Sequence, residues 1–370
     1  MKKLAIIGAS YLQKPLVLKA KRLGFYTICF AWEDGAVCKE ICHEFYPISI
    51  IEKEKILEVC RELKIDGITS IGSDVAVTTI NYVAVNLNLA GNSIQSAEIS
   101  TNKYLMRTAF KNGNINIPNF IEVGTDYQLH EIESLNYPII IKPVDRSGSK
   151  GITVLNTKSN LSKAIDYALK VSFIKKVIVE EFISGEEISV EGISFNGKHK
   201  IITFTDKVTS GFPHFVELEH HQPSKFYSTE LRNEIEKTVL NGLNALKIRN
   251  GASHSELIIT KDNKVYITEI GARMGGDFIG SDLVQLSTGF DYLKAVIDIA
   301  FGSNKKQDNS IQSYAGVYFY SSKSKHVKEK CIMNKEYVVE CDFEDKPNDE
   351  LKQSADRSGY FIYQSNFKIT

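Results

Sequence analysis

Short apolar runs alternate with amphipathic stretches at the start of the chain. Residues 4–7 and 26–30 are apolar enough for buried strands, and residues 16–23 and 54–63 carry apolar side chains at helical spacing. A further short strand is predicted at residues 67–71. Strands that alternate with helices are typical of a parallel sheet, so this region is predicted to be a small Rossmann-like domain of the α/β class.

From residue 100 onward, further apolar runs predict strands. The predicted strands are residues 138–143, 176–181 and 188–195, with a hairpin near residues 253–270. Residues 311–370 are predicted to be a small strand-rich closing segment with a polar end, and we find no signal of chemistry there. The expected organisation is therefore three units, residues 1–99, 100–310 and 311–370.

The hairpin carries acidic residues whose relative position follows from its register. If residues 262–263 form a two-residue loop, Ile259 pairs with Tyr266. In the same register Glu256 lies directly opposite Glu269. Facing carboxylates repel each other, and a hard divalent cation with oxygen ligands would relieve the repulsion. The hairpin thus favours a metal site, while solvated glutamates at a strand end are the alternative from this pattern alone.

Other segments carry groups that suit a nucleotide. An apolar strand ends in Lys142 and leads into a loop of small and basic residues, which are Ser147, Gly148, Ser149, Lys150 and Gly151. Backbone N–H groups of such a loop can bind phosphates, and Lys142 adds a positive charge. Residues 177–190 combine acids, an aromatic residue and a Gly-Glu-Glu step, which could recognise an adenine. Each segment alone also fits an ordinary surface connection.

In this order and spacing the segments resemble the ATP-grasp superfamily over residues 1–310. The resemblance implies an ATP-grasp fold that holds ATP and Mg²⁺ (with Mn²⁺ as a substitute) between two lobes, preceded by a Rossmann-like pre-ATP-grasp domain. It implies that Lys103 and Lys142 contact phosphates under the closing loop of residues 147–151. It also implies that Glu256 and Glu269 bind the metal.

The same resemblance implies contacts to the nucleoside and to the reacting group. Glu180 would accept a hydrogen bond from the adenine amino group, and Glu181 belongs to the same adenine segment. The backbone around Phe182 and Ile183 would hold the edge of the ring. Two further residues have implied roles: Glu187 would contact the ribose, and Arg273 would steady an acyl-phosphate.

The residues around the second metal position distinguish branches of the superfamily. Many members read Glu-x-Asn-Pro-Arg, whereas residues 269–273 read Glu-Ile-Gly-Ala-Arg and are followed by Met-Gly-Gly-Asp. This form resembles the L-amino-acid ligase, or carboxylate–amine ligase, branch. Gly271 replaces the asparagine ligand, so water would complete the metal shell. Residues 215–223 resemble that branch's active-site segment, where Glu217 and His220 are candidate substrate contacts, with a structural role for His220 equally open.

The expected activity is the ATP-dependent joining of a carboxylate to an amine through an acyl-phosphate, with amino acids as the expected substrates. The small residues after Arg273 are expected to leave room for an organic acid beside the γ-phosphate. A bicarbonate-using carboxylase is one alternative, and a nucleotide-binding protein without catalysis is another.

Composition narrows the classes of partner. The 45 basic and 45 acidic residues cancel and no long basic run stands out, so nucleic acid is not expected as a partner. No apolar run approaches the roughly 18 residues of a membrane helix, so no membrane partner is expected. The apolar N-terminal stretch is too short for a secretory signal, which makes the cytoplasm the expected location. A homodimer stays open.

Alternative cofactors receive little support. Of the dinucleotide fingerprint only Gly8 is present, where three glycines are needed. Cys38, Cys42 and His43 have the spacing of half a metal cluster, but no second pair completes it. Six cysteines in 370 residues do not indicate a disulfide framework.

Overall fold

The computed structural model describes residues 1–148, 150–308 and 310–369. The first elements form the predicted parallel sheet, with the strand order β3-β2-β1-β4. They are β1 (Lys3–Ile7), α1 (Lys14–Arg22), β2 (Tyr26–Phe30), β3 (Glu44–Tyr46), α2 (Lys53–Leu63), β4 (Gly67–Thr69) and α3 (Asp74–Asn86). The predicted strands and helices of this region are thus confirmed to within a few residues.

A small antiparallel sheet follows, with the strand order β5-β8-β6-β7. Its elements and the helices before it are α4 (Ile94–Thr101), α5 (Lys103–Asn112), β5 (Phe120–Val123), β6 (Ile139–Pro143), β7 (Thr153–Leu155), α6 (Leu161–Val171) and β8 (Val177–Glu181). The apolar side chains of α6 cover one face of the sheet, where Ile165 packs with Ile139 and Val179.

The rest of the chain builds a large antiparallel sheet, with the strand order β13-β12-β9-β10-β11-β14-β16-β15. Its elements are β9 (Glu186–Phe195), β10 (Lys198–Thr209), β11 (Glu217–Gln222), α7 (Arg232–Ala245), β12 (Gly251–Ile259), β13 (Val265–Gly271), α8 (Val284–Thr288), α9 (Tyr292–Ala300), β14 (Tyr314–Phe319), α10 (Val327–Met333), β15 (Val338–Phe343) and β16 (Gly359–Ser365). Residues 311–369 are strand-rich, as predicted, but their strands continue the sheet through the pairing of β14 with β11.

The side chains of β9 alternate between an apolar face of the large sheet, which packs in the core, and a polar face. Ile188 and Val190 face a core with α5 and α7, where they pack with Leu243. The residues next to them along the strand point to the opposite face, because successive side chains of a strand alternate. That polar face carries Glu187, Ser189 and Glu191.

The N-terminal sheet is covered on both faces, but by helices from distant parts of the chain. α2 and α3 pack on one face, where Val83 is buried. The other face is covered by α1 and α9, whose Leu16 and Val296 share one core. The packing is close, since a Cβ on Gly67 would lie 2.7 Å from the carbonyl oxygen of Ala300. The Rossmann-like unit is therefore completed by a helix from outside residues 1–99.

The turn after β1 is filled by a side chain of the protein. Gln13 donates from Nε2 to the carbonyl oxygen of Ile71 (2.7 Å) and accepts from the N–H of Ser10 (3.1 Å). Gly8 has a left-handed φ of 101°, and a Cβ there would lie 2.8 Å from Gln13. The Gln13 side chain therefore occupies the space beside Gly8, where the sequence carries only one glycine of the dinucleotide fingerprint. Within the described residues, no helix has the length and hydrophobicity needed to cross a bilayer.

Candidate active site

A cavity of about 840 Å³ lies between the small antiparallel sheet and the polar face of the large sheet. This volume is within the range of small-molecule sites, roughly 300–1,000 Å³. The predicted site residues that line it are Lys103, Lys142, Ser147, Gly148, Lys150, Phe182, Ile183, Glu187, Glu217, Glu256, Glu269 and Arg273. Four others lie off its wall, namely Gly151, Glu180, Glu181 and His220, and Ser149 lies outside the described residues. Most of the predicted set is thus brought together.

The facing glutamates of the hairpin are confirmed, but in a different register. Glu256 pairs with Glu269, whereas Ile259 pairs with Val265 and not with Tyr266. The loop is longer than two residues, since the N–H of Thr260 donates to the carbonyl oxygen of Lys264 (3.0 Å). A β-bulge between Glu256 and Leu257 then shifts the register by one residue. The extra residue, Thr268, brings the carboxylates back opposite each other.

Each of these carboxylates is held by a lysine. Nζ of Lys207 lies 2.6 Å from Oε1 of Glu256, and Nζ of Lys103 lies 2.8 Å from Oε2 of Glu269. Burial lowers the pKa of Lys103, but the Glu269 carboxylate more than offsets this and raises it. The positive charge predicted between the glutamates is therefore supplied by the protein. Lys103, expected on a phosphate, contacts Glu269 in this structure.

Lys207 is the residue of the site that the sequence analysis missed most clearly. Its ammonium also lies 2.6 Å from Glu187 and 3.8 Å from Glu217. Burial opposes its charge, yet the carboxylates of Glu187 and Glu256 raise its pKa well above the ordinary value. The alternation of Thr203, Thr205 and Lys207 along β10 was a signal, because it marks a polar face on this strand too.

Glu180 lies off the cavity wall and is paired with cations of the protein. It is 1% exposed, and its carboxylate is paired with Nε of Arg107 and, at 2.9 Å, with Nζ of Lys142. Burial raises its pKa, but the Arg107 and Lys142 cations outweigh burial and lower the pKa to about 2. The carboxylate therefore anchors Lys142, and the contact with the adenine amino group that the resemblance implied stays a prediction. Arg107 also donates to the carbonyl oxygen of the bulge residue Thr268 (2.6 Å).

Strand alternation separates the side chains that follow Glu180. Glu181 points to the opposite face, where it accepts from the N–H of Asn136 (3.0 Å) and Nδ2 of Asn119 (2.9 Å). Its side chain is therefore not in the cavity, and its place in the adenine segment stays a prediction. Phe182 and Ile183 do line the cavity. The N–H of Phe182 donates to a backbone carbonyl, whereas within the described residues that of Ile183 donates to none.

The predicted phosphate loop is anchored by the residues that precede it. Asp145 accepts from the N–H of Ile174 (2.9 Å), and the guanidinium of Arg146 lies 4.1 Å from the centroid of the Phe173 ring. Gly148 lines the cavity with a left-handed φ of 67°. Gly151 is instead a packing glycine, since a Cβ there would lie 2.7 Å from the Pro143 ring.

Arg273 lines the cavity but is bound by a residue of the N-terminal unit. Its Nε and Nη2 each lie 2.8 Å from an oxygen of Asp74, the first residue of α3. Burial lowers the pKa of Arg273, and the Asp74 carboxylate more than restores it. Gly271 fits here because a Cβ would lie 3.0 Å from Asp74. The glycine thus makes room for an internal ion pair, a role that the sequence analysis did not foresee.

His220 is placed as a structural residue. It is 1% exposed, its Nε2 lies 3.9 Å from Asp277, and its ring meets Phe319 edge-on. Within the described residues its Nδ1 has no partner. Asp277 is itself bound by both Nη atoms of Arg357, at 2.9 and 2.8 Å. This placement fits the structural alternative that was left open for His220.

The C-terminal segment reaches the cavity, although no chemistry was predicted for it. Ser354 donates to Oε2 of Glu217 (3.1 Å), and Glu217 lines the cavity as expected. Lys368 also lines the cavity and lies 3.0 Å from Asp206. These contacts were missed because the residues are single polar side chains without a motif.

His254 and Glu191 form a buried pair beside the glutamates of the hairpin. Nδ1 of His254 lies 2.6 Å from Glu191, and Nε2 lies 3.4 Å from Oε1 of Glu256. Burial lowers the pKa of His254, but the carboxylates of Glu191 and Glu256 raise it to about 9. Their positions in the alternating runs of β9 and β12 were a signal that the sequence analysis did not use.

The donor set fits a magnesium ion in part. Glu256 and Glu269 present hard carboxylate oxygens at the cavity wall, which suit Mg²⁺. Within the part of the chain that the structure describes, no group of three or more His, Cys, Asp or Glu side chains could hold a metal ion. Because Mg²⁺ usually keeps waters and shares substrate phosphates, a site made of few carboxylates is ordinary for it.

Comparisons with known proteins relate part of the chain to a domain family and to two ligases. Residues 135–282 match the family model of the ATP-grasp domain. The D-alanine–D-alanine ligase of Thermosipho africanus is 27% identical over 247 residues, which cover 62% of this chain and 65% of that protein. The alanine–anticapsin ligase of Bacillus subtilis is 26% identical over 265 residues, which cover 63% of this chain and 55% of that protein. The matches thus span less than two thirds of these relatives.

Solved structures share the fold over almost the whole chain. The L-amino acid ligase from Bacillus licheniformis superposes with a TM-score of 0.83 and 23% identity, covering 99% of this chain and 94% of that one. At this identity the similarity shows the fold alone. The architecture of the chain, from the parallel N-terminal sheet to the closing strands, is therefore one that a solved structure already displays.

Proposed function

Since this chain has the ATP-grasp fold and carries an ATP-grasp domain, we propose that it is an ATP-dependent carboxylate–amine ligase. It would form an amide through an acyl-phosphate and release ADP and phosphate. The observation that carries the proposal is the cavity that Lys103, Lys142 and Lys207 line together with the facing carboxylates of Glu256 and Glu269. The named relatives are ligases, and those names indicate amino acids as the substrate class.

The small antiparallel sheet and its neighbours would hold ATP. Lys142, fixed by Glu180, supplies a positive charge beside the loop of residues 147–151, whose backbone N–H groups suit phosphate oxygens. The N–H of Ile183, which donates to no backbone carbonyl of the described residues, would meet the edge of the adenine ring. Glu187 would contact the ribose from the opposite wall. The base and the phosphates would then lie along one continuous cavity.

Glu256 and Glu269 would hold Mg²⁺. When bound, the ion would offset the negative charge of the phosphates. Lys103 and Lys207 hold the two carboxylates at the cavity wall. With Glu269 on a metal, the ammonium of Lys103 would be available to phosphate oxygens, whereas Lys207 would still contact Glu187.

The reaction would proceed in two displacements. An oxygen of the substrate carboxylate attacks the γ-phosphorus of ATP, and ADP leaves. The amine nitrogen then attacks the acyl carbon, phosphate leaves, and the nitrogen loses a proton. Arg273 would stabilise the charge on the acyl-phosphate, and Glu217 would face the amine substrate. Closure of the loop of residues 147–151 would keep water away from the intermediate.

The proposal is tested by measuring phosphate release with amino acids, singly and in pairs, in bicarbonate-free buffer, with mass spectrometry of the products. We expect ADP formation that depends on an organic carboxylate and yields an amide. ADP formed only with bicarbonate would favour the carboxylase alternative. Nucleotide binding without turnover under any condition would favour the non-catalytic one.

A further inference from the structure

Strand register places Glu191, His254 and Glu256 on one face of the large sheet. His254 lies directly opposite Glu191 in the pairing of β12 with β9, and Glu256 lies opposite Ser189. Residues two apart on a strand point to the same side. The three side chains therefore form a row that runs from the interior of the sheet to the cavity wall.

The inner end of this row is a fully buried carboxylate. Glu191 is 0% exposed, and its Oε1 is 2.6 Å from Nδ1 of His254 and 3.1 Å from the hydroxyl of Ser189. Within the described residues, its Oε2 has no partner. Burying an ionised carboxylate is costly unless a cation or hydrogen bonds compensate it. Among the contacts named here, the imidazole of His254 lies nearest to this carboxylate.

The outer end of the row is the carboxylate proposed to bind the metal. Nε2 of His254 lies 3.4 Å from Oε1 of Glu256, so the imidazole lies between the two carboxylates. The backbone of Gly275 packs against this pair, since a Cβ there would lie 2.8 Å from Nδ1 of His254 and 3.1 Å from Oε2 of Glu191. The pair is thus enclosed on the side of Gly275.

We propose that His254, backed by Glu191, is a positioning residue that fixes the carboxylate of Glu256 for metal binding. This inference rests on the proposed use of Glu256 as a ligand. A glutamate side chain has several rotatable bonds, and the imidazole of His254 and the ammonium of Lys207 both approach Oε1 of Glu256, which leaves Oε2 for the cavity. Groups that orient metal ligands in this way typically contribute about 10–100-fold to metal affinity or activity.

The test measures metal binding directly, with Mn²⁺ as the probe. The complex of the protein with ADP is titrated with Mn²⁺, and free Mn²⁺ is followed by electron paramagnetic resonance. We expect His254→Gln to raise the Mn²⁺ dissociation constant about tenfold. ADP binding without metal should not change. Glu191→Gln should act in the same direction, and the double variant should be little worse than His254→Gln, because both residues act through the same contact.

Ser255→Ala is the matched control. Ser255 follows His254, is fully buried and points to the opposite face, and within the described residues its hydroxyl has no partner. Its Mn²⁺ constant should equal that of the parent. An equal loss in Ser255→Ala and His254→Gln would indicate general distortion of the strand and would overturn the proposal.

Other outcomes also test the positioning role of His254. An unchanged Mn²⁺ constant in folded His254→Gln would overturn the proposal, and if that variant does not fold, an unchanged constant in Glu191→Gln would do so. A parent that binds no Mn²⁺ would overturn the metal site and this inference with it. Failure of the ligase proposal is seen separately, as the absence of an amide product from a parent that does bind Mn²⁺.

Discussion

At the scale of single residues, the site consists of carboxylates that are each matched by a cation. Glu256 is held by Lys207, Glu269 by Lys103, and Glu180 by Lys142 and Arg107. Buried or half-buried charges of one sign would repel each other, and removal of one partner leaves the other uncompensated. The pKa values of Glu256 and Glu180 are accordingly lowered by their cationic partners.

The facing glutamates give the most direct prediction for activity. Glu256→Gln and Glu269→Gln should each lower kcat/KM by more than roughly 100-fold, since even the outer partners of metal ligands contribute 10–100-fold. The loss should be larger at limiting Mg²⁺. Asp262→Asn is the control, because this carboxylate is 61% exposed in the loop of the same hairpin and lies off the cavity. Near-parent activity in both glutamine variants would contradict the metal assignment.

Glu180 gives a prediction for the pH dependence of stability. Its pKa is lowered to about 2 in the folded protein, against about 4.3 in the unfolded chain. A carboxyl with a depressed pKa stabilises the fold above the unfolded value, and this stabilisation is lost as the pH falls toward 2. We expect a contribution on the order of 3 kcal/mol at neutral pH.

The measurement is urea unfolding of the parent and of Glu180→Gln between pH 7 and pH 3. The difference in unfolding free energy should be largest at neutral pH and should shrink below about pH 4.3, where the unfolded chain takes up the proton. Lys142 should also lose its anchor, so ATP should bind more weakly at neutral pH. A difference that does not vary with pH would show that Glu180 is not ionised in the fold.

Residues of the site could be predicted from the sequence where a motif or a short spacing along the chain determines their position. The opposition of Glu256 and Glu269 came from hairpin register, and most cavity residues came from motif positions. Lys207 and Asp74 were missed because their partners lie 49 and 199 residues away along the chain. The pairing of Glu180 with Arg107 was missed for the same reason, because Arg107 lies 73 residues earlier in the chain.

At the scale of elements, turns and bulges determine which side chains face each other at the site. The hairpin loop shifts the register of β12 against β13 by one residue, and the bulge shifts it back before the glutamates. The predicted opposition is therefore confirmed although the predicted pairing of Ile259 with Tyr266 is wrong. Bulges are not visible in a hydrophobic pattern, since they depend on how an extra residue is satisfied, here by the contact of Arg107 with Thr268.

The turn after β13 gives a prediction at this scale. Gly275→Ala should displace the pair of His254 and Glu191, because its Cβ would lie 2.8 Å from the imidazole. We expect a higher Mg²⁺ requirement and a lower thermal stability. Gly276→Ala is the adjacent control, since the nearest atom to its Cβ is 4.0 Å away. Equal behaviour of the two variants, by Mg²⁺ titration of ADP formation and by thermal unfolding, would contradict the packing argument.

At the scale of the whole molecule, elements far apart in sequence complete each other. α9 closes the N-terminal sheet, and strands of residues 311–369 extend the large sheet and bring Ser354 and Lys368 to the cavity. The sequence pattern predicted the α/β class, the helices α1 and α2, and the strands β1, β2, β4, β6, β8, β9, β12 and β13. It did not predict these connections, because a period of two or 3.6 residues specifies a face but not the element that covers it.

The pairing of Asp74 with Arg273 joins the N-terminal unit to the cavity and gives the last prediction. Both side chains are largely buried, so Asp74→Asn should cost about 3 kcal/mol of unfolding free energy by leaving Arg273 without its carboxylate. It should also lower kcat more than it raises KM for ATP, because Arg273 is proposed to act on charge that develops during the chemical step.

Asp291→Asn is the matched control for this variant. Asp291 joins α9 to Lys19 of α1 across the same two parts of the chain, but it lies off the cavity. Asparagine can still accept from the N–H of Lys294, so the start of α9 should be preserved. We expect Asp291→Asn to lower stability with an unchanged kcat. If both variants lowered kcat in proportion to their loss of stability, Asp74 would be a structural tie between the units, without a part in orienting Arg273.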